Sequence, residues 1–274
     1  MQEWPSLPKT DLISCLICTS HRSEDLDFLL SDFLEQTLDK KHFEIIILND
    51  GAGEDIRLIA EKYTNALPIR YLENKTPQKN IGLLRNKTIL SSQGEYILFL
   101  DDDTRILQKN FLARALEIFK QPNPDVIIPL GKASYGIVRG RYDFFDAFSF
   151  GNAGVLYKRE VLKKLRGFRN DLSSYEDIEF GIRLTICGYK IIKTNELVYL
   201  HPPFYFYSMY KPLSIGQSIL KLRQHYSFLV WLLVYINALR FLPLCLWPTK
   251  RNLQWFKISL GVLLSPFVKK RYYY

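Results

Sequence analysis

Acidic residues are missing from the end of this 274-residue sequence, since none occurs after Glu196. Residues 197–274 hold ten Lys and Arg residues, whereas residues 1–196 hold 27 such bases and 28 acids. The formal net charge of +9 is therefore carried by the tail, which excludes a protein that is basic throughout. The tail is also rich in aromatic residues, and a basic, aromatic surface suits either nucleic acid or an anionic bilayer.

Cysteine is scarce as well: the four are Cys15, Cys18, Cys187 and Cys245. So few cysteines imply no disulfide framework, which fits a reducing compartment. Cys15 and Cys18 have the spacing of a redox or zinc motif, but they lie in an apolar run. A strand would point their side chains to opposite faces, so we predict two small buried residues. The N-terminus lacks a basic start followed by an apolar stretch, and no signal peptide is expected.

Long uninterrupted apolar runs are also few. The longest weakly polar stretch, 226–247, is interrupted by Asn237, Arg240 and Pro243. Its length suffices for a transmembrane helix of roughly 20 residues. The charge and the proline fit equally a helix that lies in the membrane interface, and both alternatives stay open.

Short apolar runs without alternation recur in the first 130 residues. They are 12–18, 43–48, 69–72, 96–100 and 126–130. Such runs predict strands buried on both faces, hence parallel, and segments of helical periodicity lie between them. We therefore predict an α/β fold with a doubly wound, mostly parallel sheet flanked by helices. Ligands bind at the carboxyl ends of such strands, here 19–22, 49–51 and 101–103.

The pattern changes after residue 130. Residues 131–150 are irregular and rich in Gly and aromatic residues, and we predict an active-site loop there. A further strand is predicted over 151–157 and an extended segment over 190–200. Helices are predicted over 159–165 and 176–187.

Two acidic clusters stand out. Asp101, Asp102 and Asp103 follow an apolar strand, where a divalent cation such as Mg²⁺ or Mn²⁺ would relieve their repulsion. A solvated turn is the alternative. Glu176 and Asp177 begin a predicted helix, with Ser173 or Ser174 as N-cap. They could stabilise the helix dipole or act in catalysis, and the two readings compete evenly.

Several motifs occur in a fixed order over roughly residues 11–205. They are TSHR at 19–22, NDG at 49–51, GLLRN at 82–86, DDD at 101–103, the segment 151–159 followed by GF at 167–168, ED at 176–177 with Arg183 and Gly188, and His201. Each motif alone is a weak signal. Their order and spacing together resemble the inverting nucleotide-sugar glycosyltransferases of family 2, whose fold is called GT-A.

The resemblance implies a role for each matching residue. The nucleotide-sugar site would comprise Thr19, His21, Arg22, Asp50, Arg85, Asp101 and Asp102. Asp50 would contact a pyrimidine ring nitrogen, and Arg85 the base or phosphate side of the nucleotide. A Mn²⁺ or Mg²⁺ ion would be held by Asp103, Asp101 and His201, although an ordinary hydrogen-bonded His201 is an equal alternative. Gly151 and Asn152 would lie on the acceptor side. Catalysis would fall to Asp177 as general base, with Glu176 beside it.

The implied reaction moves a sugar from a nucleotide-sugar to a hydroxyl of a glycan or lipid-linked acceptor, as in cell-surface polysaccharide biosynthesis. A UDP-sugar is the first expectation for the donor, with dTDP- and GDP-sugars as alternatives. The sequence departs from the family at Ser20-His21, where a Tyr-Asn pair is usual. It also lacks the Q-x-x-R-W box, since Gln217 and Arg223 are six apart and no Trp follows, which argues against a processive polymer synthase.

Three other functions remain open at this point. A polyprenyl-phosphate sugar synthase would share the donor site but need no general base. The others are a nucleic-acid-binding protein with a basic tail and a non-catalytic scaffold on the same fold.

The predicted domain boundary lies close to Glu196, the last acidic residue of the sequence. Residues 1–205 would form the GT-A domain, with 1–130 binding the nucleotide-sugar and 131–205 the acceptor. Residues 206–274 would form a helical membrane-associating extension, peripheral or monotopic on the cytoplasmic face of the cell membrane. The partner of the tail would then be an anionic membrane surface and not nucleic acid.

Overall fold

A seven-stranded sheet lies at the centre of the computed structural model, which describes residues 8–51, 55–74, 80–133, 153–202 and 205–268. The strands are β1 (Lys9–Thr19), β2 (Phe43–Asn49), β3 (Ile69–Glu73), β4 (Gly94–Asp101), β5 (Val126–Ala133), β6 (Leu156–Lys158) and β7 (Ile191–His201). Their order is β3-β2-β1-β4-β6-β5-β7. Strand β6 is antiparallel to both neighbours and the other pairs are parallel, which confirms the predicted α/β fold.

Helices cover the sheet and continue into the tail. They are α1 (Ser23–Leu34), α2 (Asp55–Tyr63), α3 (Ile81–Ser91), α4 (Phe111–Lys120), α5 (Arg159–Lys164), α6 (Glu176–Ile186), α7 (Tyr210–Leu222), α8 (Phe228–Leu239) and α9 (Lys250–Leu264). Short 3₁₀ segments occur at Lys40–His42, Leu242–Leu246 and Ser265–Phe267. Helix α1 illustrates the pattern, because its periodic apolar residues Leu26, Leu29, Leu30 and Phe33 are all buried.

The two faces of the sheet carry separate cores, which explains why the strand sequences do not alternate. In β1, Ile13, Cys15 and Ile17 belong to one core, whereas Leu16 belongs to the other. The cysteines of this strand are free thiols, with Cys15 buried and Cys18 half-buried, and burial raises the pKa of Cys18 to about 12.

The segment after residue 130 differs in part from its prediction. Strand β5 continues to Ala133, so the first residues of the predicted irregular loop pair with β7. The rest of that loop lies outside the described residues, as do Gly151 and Asn152. Strand β6 has three residues and begins only at Leu156, because β4 and β5 leave room for a short antiparallel strand between them.

The tail helices share a third core with α6. Ile182 of α6 and Leu172 pack with residues from α7, α8 and α9, which are Ile215, Ile219, Leu222, Val234, Ala238 and Val262. A hydrogen bond of 2.7 Å from Tyr226 Oη to the buried Glu179 Oε1 joins the tail to the same helix. The tail is therefore packed on the element that carries Glu176 and Asp177, and the boundary at 205 stays a prediction.

Candidate active site

Parallel strand pairing brings the predicted site residues to one edge of the sheet. Thr19 at the end of β1 is in register with Asn49 of β2, and Cys18 with Asp101 of β4. The carboxyl ends of these strands therefore meet, as expected for a ligand site in a doubly wound sheet.

Asp101, Asp103 and His201 form the tightest polar cluster at this edge. One ligand atom from each lies within 4.8 Å of the other two. His201 Nε2 is 3.4 Å from Asp101 Oδ2 and 3.3 Å from Asp103 Oδ1. The end of β7 is fixed there by backbone hydrogen bonds of 2.9 Å between Arg105 and Leu200.

The donor set of this cluster fits a divalent cation. Asp103 Oδ1 is buried and faces His201 Nε2. His201 Nδ1 lies 2.6 Å from Pro202 O, which leaves Nε2 facing the two carboxylates. Burial opposes a charge on His201, but Asp101 and Asp103 outweigh it and raise its pKa to about 10. The site thus stabilises positive charge, and its carboxylate oxygens suit Mn²⁺ or Mg²⁺. His201 would bind such an ion as the neutral imidazole, after losing the proton that the two carboxylates stabilise.

Asp102 faces the loop after β1 instead of this cluster. Its carboxylate accepts hydrogen bonds from Thr19 Oγ1 at 2.8 Å and Arg22 Nη1 at 3.0 Å. Burial raises the pKa of Asp102 to about 6. Arg22 also donates to Asp103 Oδ2 at 2.5 Å, so it connects Asp102, a predicted nucleotide-sugar residue, to a predicted metal ligand.

Asp50 is buried behind the turn that follows β2. Its backbone N–H donates to Thr19 O at 2.9 Å, and its Oδ1 accepts from Asn74 Nδ2. Lys87 Nζ in turn donates to Asn74 Oδ1 at 2.7 Å. Sequence patterns did not single out Asn74 and Lys87, because both act through contacts between distant elements.

His21 is exposed to solvent at the edge of the sheet where the carboxyl ends of the strands meet. Its backbone is left-handed, with φ 62°. Its ring Cε1 lies 3.3 Å from the point that a Cβ on Gly51 would occupy. Glycine at position 51 therefore lets the loop after β1 approach the turn after β2.

Arg85 is buried and connects the two acidic clusters. Its Nη1 donates to Glu176 Oε1, and its Nη2 donates to Asp101 Oδ1 at 3.3 Å. The ring of Phe168 lies 5.7 Å from the guanidinium carbon. Burial opposes the charge, but these carboxylates raise the pKa of Arg85. Both of these hydrogen bonds of the Arg85 guanidinium are thus to protein carboxylates.

Asp177 lies half-buried in the first turn of α6. Burial and the neighbouring Glu176 raise the pKa of its carboxyl to about 7. Its Oδ1 accepts the backbone N–H of Ile178 at 2.8 Å. A carboxyl in this state can take up a proton near neutral pH.

The predicted N-cap of α6 is wrong. The N-cap residue is Tyr175, in a left-handed conformation with φ 71° and no side-chain cap. Ser174 is instead turned towards the tail, where its Oγ lies 3.0 Å from Ser214 Oγ of α7. The serines before α6 therefore fix the tail in place, and the carboxylates of α6 are left to face the site.

Lys211 was not predicted as a site residue, yet it stands at the first turn of α7 beside the carboxylates. Its ammonium group interacts electrostatically with Glu176, Asp177 and Asp101. Burial lowers the pKa of Lys211, and these three carboxylates oppose that effect. Position 211 lies ten residues beyond the last family motif, and no local pattern marks it.

A match over more than half of the chain decides the family. Residues 14–166 match the family described as Glycosyl transferase family 2. The chain belongs to glycosyltransferase family 2. The predicted resemblance and the enzyme class are thereby confirmed.

Two curated relatives illustrate how far the similarity extends. Glycosyltransferase AglE of Haloferax volcanii is 23% identical over 249 residues, which is 86% of this chain and 79% of the relative. Cholesterol galactosyltransferase of Borreliella burgdorferi is 33% identical over 117 residues, which is 42% of this chain. The aligned part spans only 31% of that second protein.

Solved structures share the fold at low sequence identity. TarS of S. aureus in complex with UDP has a TM-score of 0.64 at 20% identity, covering 76% of this chain and 63% of that chain. The mannosyltransferase PcManGT from Pyrobaculum calidifontis, in complex with GDP-Man and Mn²⁺, has a TM-score of 0.68 at 13% identity. That match covers 97% of this chain and 90% of the other. The GT-A fold extends over the tail helices in this comparison.

Proposed function

We propose that this family 2 glycosyltransferase is a metal-dependent, inverting enzyme. It moves a sugar from a nucleotide-sugar to a hydroxyl of a glycan or lipid-linked acceptor. The observation that carries the proposal is that Arg85 connects the two acidic clusters. It donates to Asp101 of the Asp101, Asp103 and His201 cluster, and to Glu176, which precedes the half-buried Asp177 in α6.

Asp103, Asp101 and His201 would hold the cation, Mn²⁺ or Mg²⁺. When bound, it would neutralise the charge that develops on the diphosphate leaving group. The buried Asp103 Oδ1, which lies within reach of both His201 and Asp101, supports this role. The complex of PcManGT with GDP-Man and Mn²⁺ supports it by analogy.

Asp177 would take the proton of the acceptor hydroxyl as general base. Its raised pKa places it in the range where a carboxylate can accept a proton near neutral pH. Attack in a single displacement from the face opposite the leaving group would invert the anomeric centre. Glu176 and Arg85 would hold the first turn of α6 in position, so we assign Glu176 a positioning role.

The nucleotide would lie along the ends of β1, β2 and β4. Asp50, held by Asn74, would contact the base, while Asp102 with Thr19 and Arg22 would line the ribose side. A UDP-sugar is the first candidate because TarS, with a similar fold, binds UDP. GDP- and dTDP-sugars are the alternatives, and PcManGT binds GDP-Man.

Helix α8 supports a membrane location for the acceptor. The helical segment Phe228–Leu246 has a mean hydropathy of 1.9 and is only 11% buried, so it is long and apolar enough to cross a membrane. Leu229, Leu233 and Ile236 share its exposed face. Exposed bases lie on both sides of the segment, namely Arg223, Lys250 and Arg251, and Arg240 is exposed within it. We propose that this surface lies on the cytoplasmic leaflet, where lipid-linked acceptors would be.

The direct test is the product of the purified full chain. The protein is incubated with Mn²⁺, a panel of UDP-, dTDP- and GDP-sugars, and either an oligosaccharide or a polyprenyl phosphate as acceptor. We expect release of the nucleoside diphosphate and a product whose anomeric configuration, read by NMR, is opposite to that of the donor. A retained configuration would contradict the proposal. Full transfer to polyprenyl phosphate by Asp177→Asn would favour the polyprenyl-phosphate sugar synthase.

A further inference from the structure

Helix α7 presents one face to the segment that leads into α6. Residues 211, 214 and 218 share this face because they are three and four positions apart. Ser218 Oγ accepts the backbone N–H of Ser174 at 3.3 Å, and Ser214 Oγ lies 3.0 Å from Ser174 Oγ. The next position on the face, one turn closer to the N-terminus of α7, is Lys211. Helix α7 and the segment before α6 lie against each other here, and Lys211 lies on the face of α7 that packs towards Glu176.

The electrostatics of Lys211 agree with that placement. Its ammonium attracts Glu176, Asp177 and Asp101, and Arg85 repels it. Asp177 is the proposed base, whereas Asp101 belongs to the proposed metal cluster. Lys211 is thus a second cation, beside Arg85, that interacts with carboxylates on both the acceptor side and the diphosphate side of the site.

An in-line displacement explains why a cation belongs at this point. The attacking hydroxyl lies near the base, the leaving phosphate lies near the metal ligands, and the anomeric carbon lies between them. Negative charge develops on the phosphate oxygen as the bond to the sugar breaks. A lysine ammonium positioned there stabilises that charge with three rotatable donors.

We propose that Lys211 binds the β-phosphate of the nucleotide diphosphate. This inference rests on the proposed function and adds a residue from the tail to the donor site. The tail then completes the active site in addition to docking the protein. Lys211 would bind the leaving group throughout the reaction, so its loss should weaken nucleoside diphosphate binding even without turnover.

Calorimetric titration with Mn²⁺ and either a nucleoside diphosphate or its monophosphate tests the proposal. The probes are UDP and UMP, GDP and GMP, and dTDP and dTMP. We expect Lys211→Met to weaken diphosphate binding about tenfold or more, and monophosphate binding less than threefold. Lys211→Arg should recover most of the affinity. Lys221→Met is the matched control, because Lys221 lies at the far end of α7, where its Nζ donates to Asp171 O.

The possible outcomes distinguish a failure of the proposed function from a failure of the Lys211 assignment. If the wild-type protein binds no nucleoside diphosphate, the proposed function fails and the role of Lys211 fails with it. If the wild type binds and Lys211→Met binds equally well, only the Lys211 assignment is overturned. The same holds if diphosphate and monophosphate affinities fall together, since the effect is then not specific to the β-phosphate. Thermal unfolding of each variant verifies the fold, and Lys211→Gln, which also removes the charge, replaces Lys211→Met if that variant does not fold.

Discussion

The burial of the Asp177 carboxyl determines the pH range in which this group can act as a base. In the unfolded chain it would titrate near the ordinary value of 3.8, whereas burial and Glu176 raise its pKa to about 7 in the folded protein. The ionised form is the base, so it is lost as the pH falls through this value. Activity that depends on this group must therefore decline towards acid pH.

Replacement of Asp177 tests that dependence. Asp177→Asn should lower kcat by about 10²–10⁴-fold while leaving nucleotide affinity unchanged, because the amide cannot accept the hydroxyl proton. In the wild type, kcat/KM should fall about tenfold for each pH unit below about 7. Asp25→Asn is the control, since Asp25 is exposed in the first turn of α1. A pH-independent rate between 5 and 8 would exclude a base with this pKa.

The individual residues show how far sequence predicts a site. Asp101, Asp103 and His201 were assigned together from the order of family motifs, and the fold brings them within 4.8 Å. The partners of Arg85 could not be predicted, because Glu176 lies 91 positions away and pairs with it only after α3 and α6 pack. Lys211 and Asn74 were missed for the same reason. Their roles depend on contacts between elements that no local spacing encodes.

Helix α8 exposes large apolar side chains on one face and packs its opposite face into the third core. Leu229 and Leu233 are 65% and 49% exposed, whereas Val234 and Ala238 on the opposite face pack into the third core. Substitutions on the exposed face should therefore change a surface interaction without disturbing the core.

Acidic substitutions on the exposed apolar face of α8 test whether this helix binds a membrane. Leu229→Glu with Leu233→Glu should reduce co-sedimentation with anionic vesicles at least about tenfold, because apolar area is lost and acids oppose the lipid charge. The control is Leu58→Glu, at a leucine of α2 that is 60% exposed. Equal sedimentation of the double variant and the wild type would show that α8 does not bind the membrane.

The contact between the tail and α6 can be measured separately. Tyr226→Phe removes the 2.7 Å hydrogen bond to Glu179, which keeps Arg183 as its partner. We expect the free energy of unfolding to fall by about 1–2 kcal/mol in urea titrations. Tyr207→Phe is the control, because Tyr207 is 90% exposed. No loss in Tyr226→Phe would mean that this bond does not hold the tail on α6.

The elements themselves were largely predictable. Apolar runs without alternation gave five strands, since a strand buried on both faces needs apolar residues at nearly every position. Burial on both faces is wrong for β3, which lies at the edge of the sheet and leaves Arg70 and Glu73 exposed. The short strand β6 was misplaced by several residues, because its position depends on the gap between β4 and β5. The N-cap of α6 was wrong because Ser174 contacts α7 instead.

Of the three cores in the described part of the chain, the second and the third meet at α6. Phe180 and Leu184 pack against the sheet, whereas Ile182 packs against the tail helices. The charge division of the sequence therefore does not separate two independent bodies. Removing the tail would expose the apolar face of α6 next to Asp177, so single substitutions test the tail better than truncation.

The proposed metal dependence is the centre of this account, and nucleoside diphosphate release from a sugar donor measures it directly. The wild-type protein should turn over donor with Mn²⁺, lose that activity in excess EDTA, and regain it when Mn²⁺ is restored. Asp103→Asn should lower the rate at least about 100-fold, while Asp25→Asn should leave it unchanged. Undiminished turnover in EDTA, or in Asp103→Asn, would contradict the assignment of Asp101, Asp103 and His201 as a metal site.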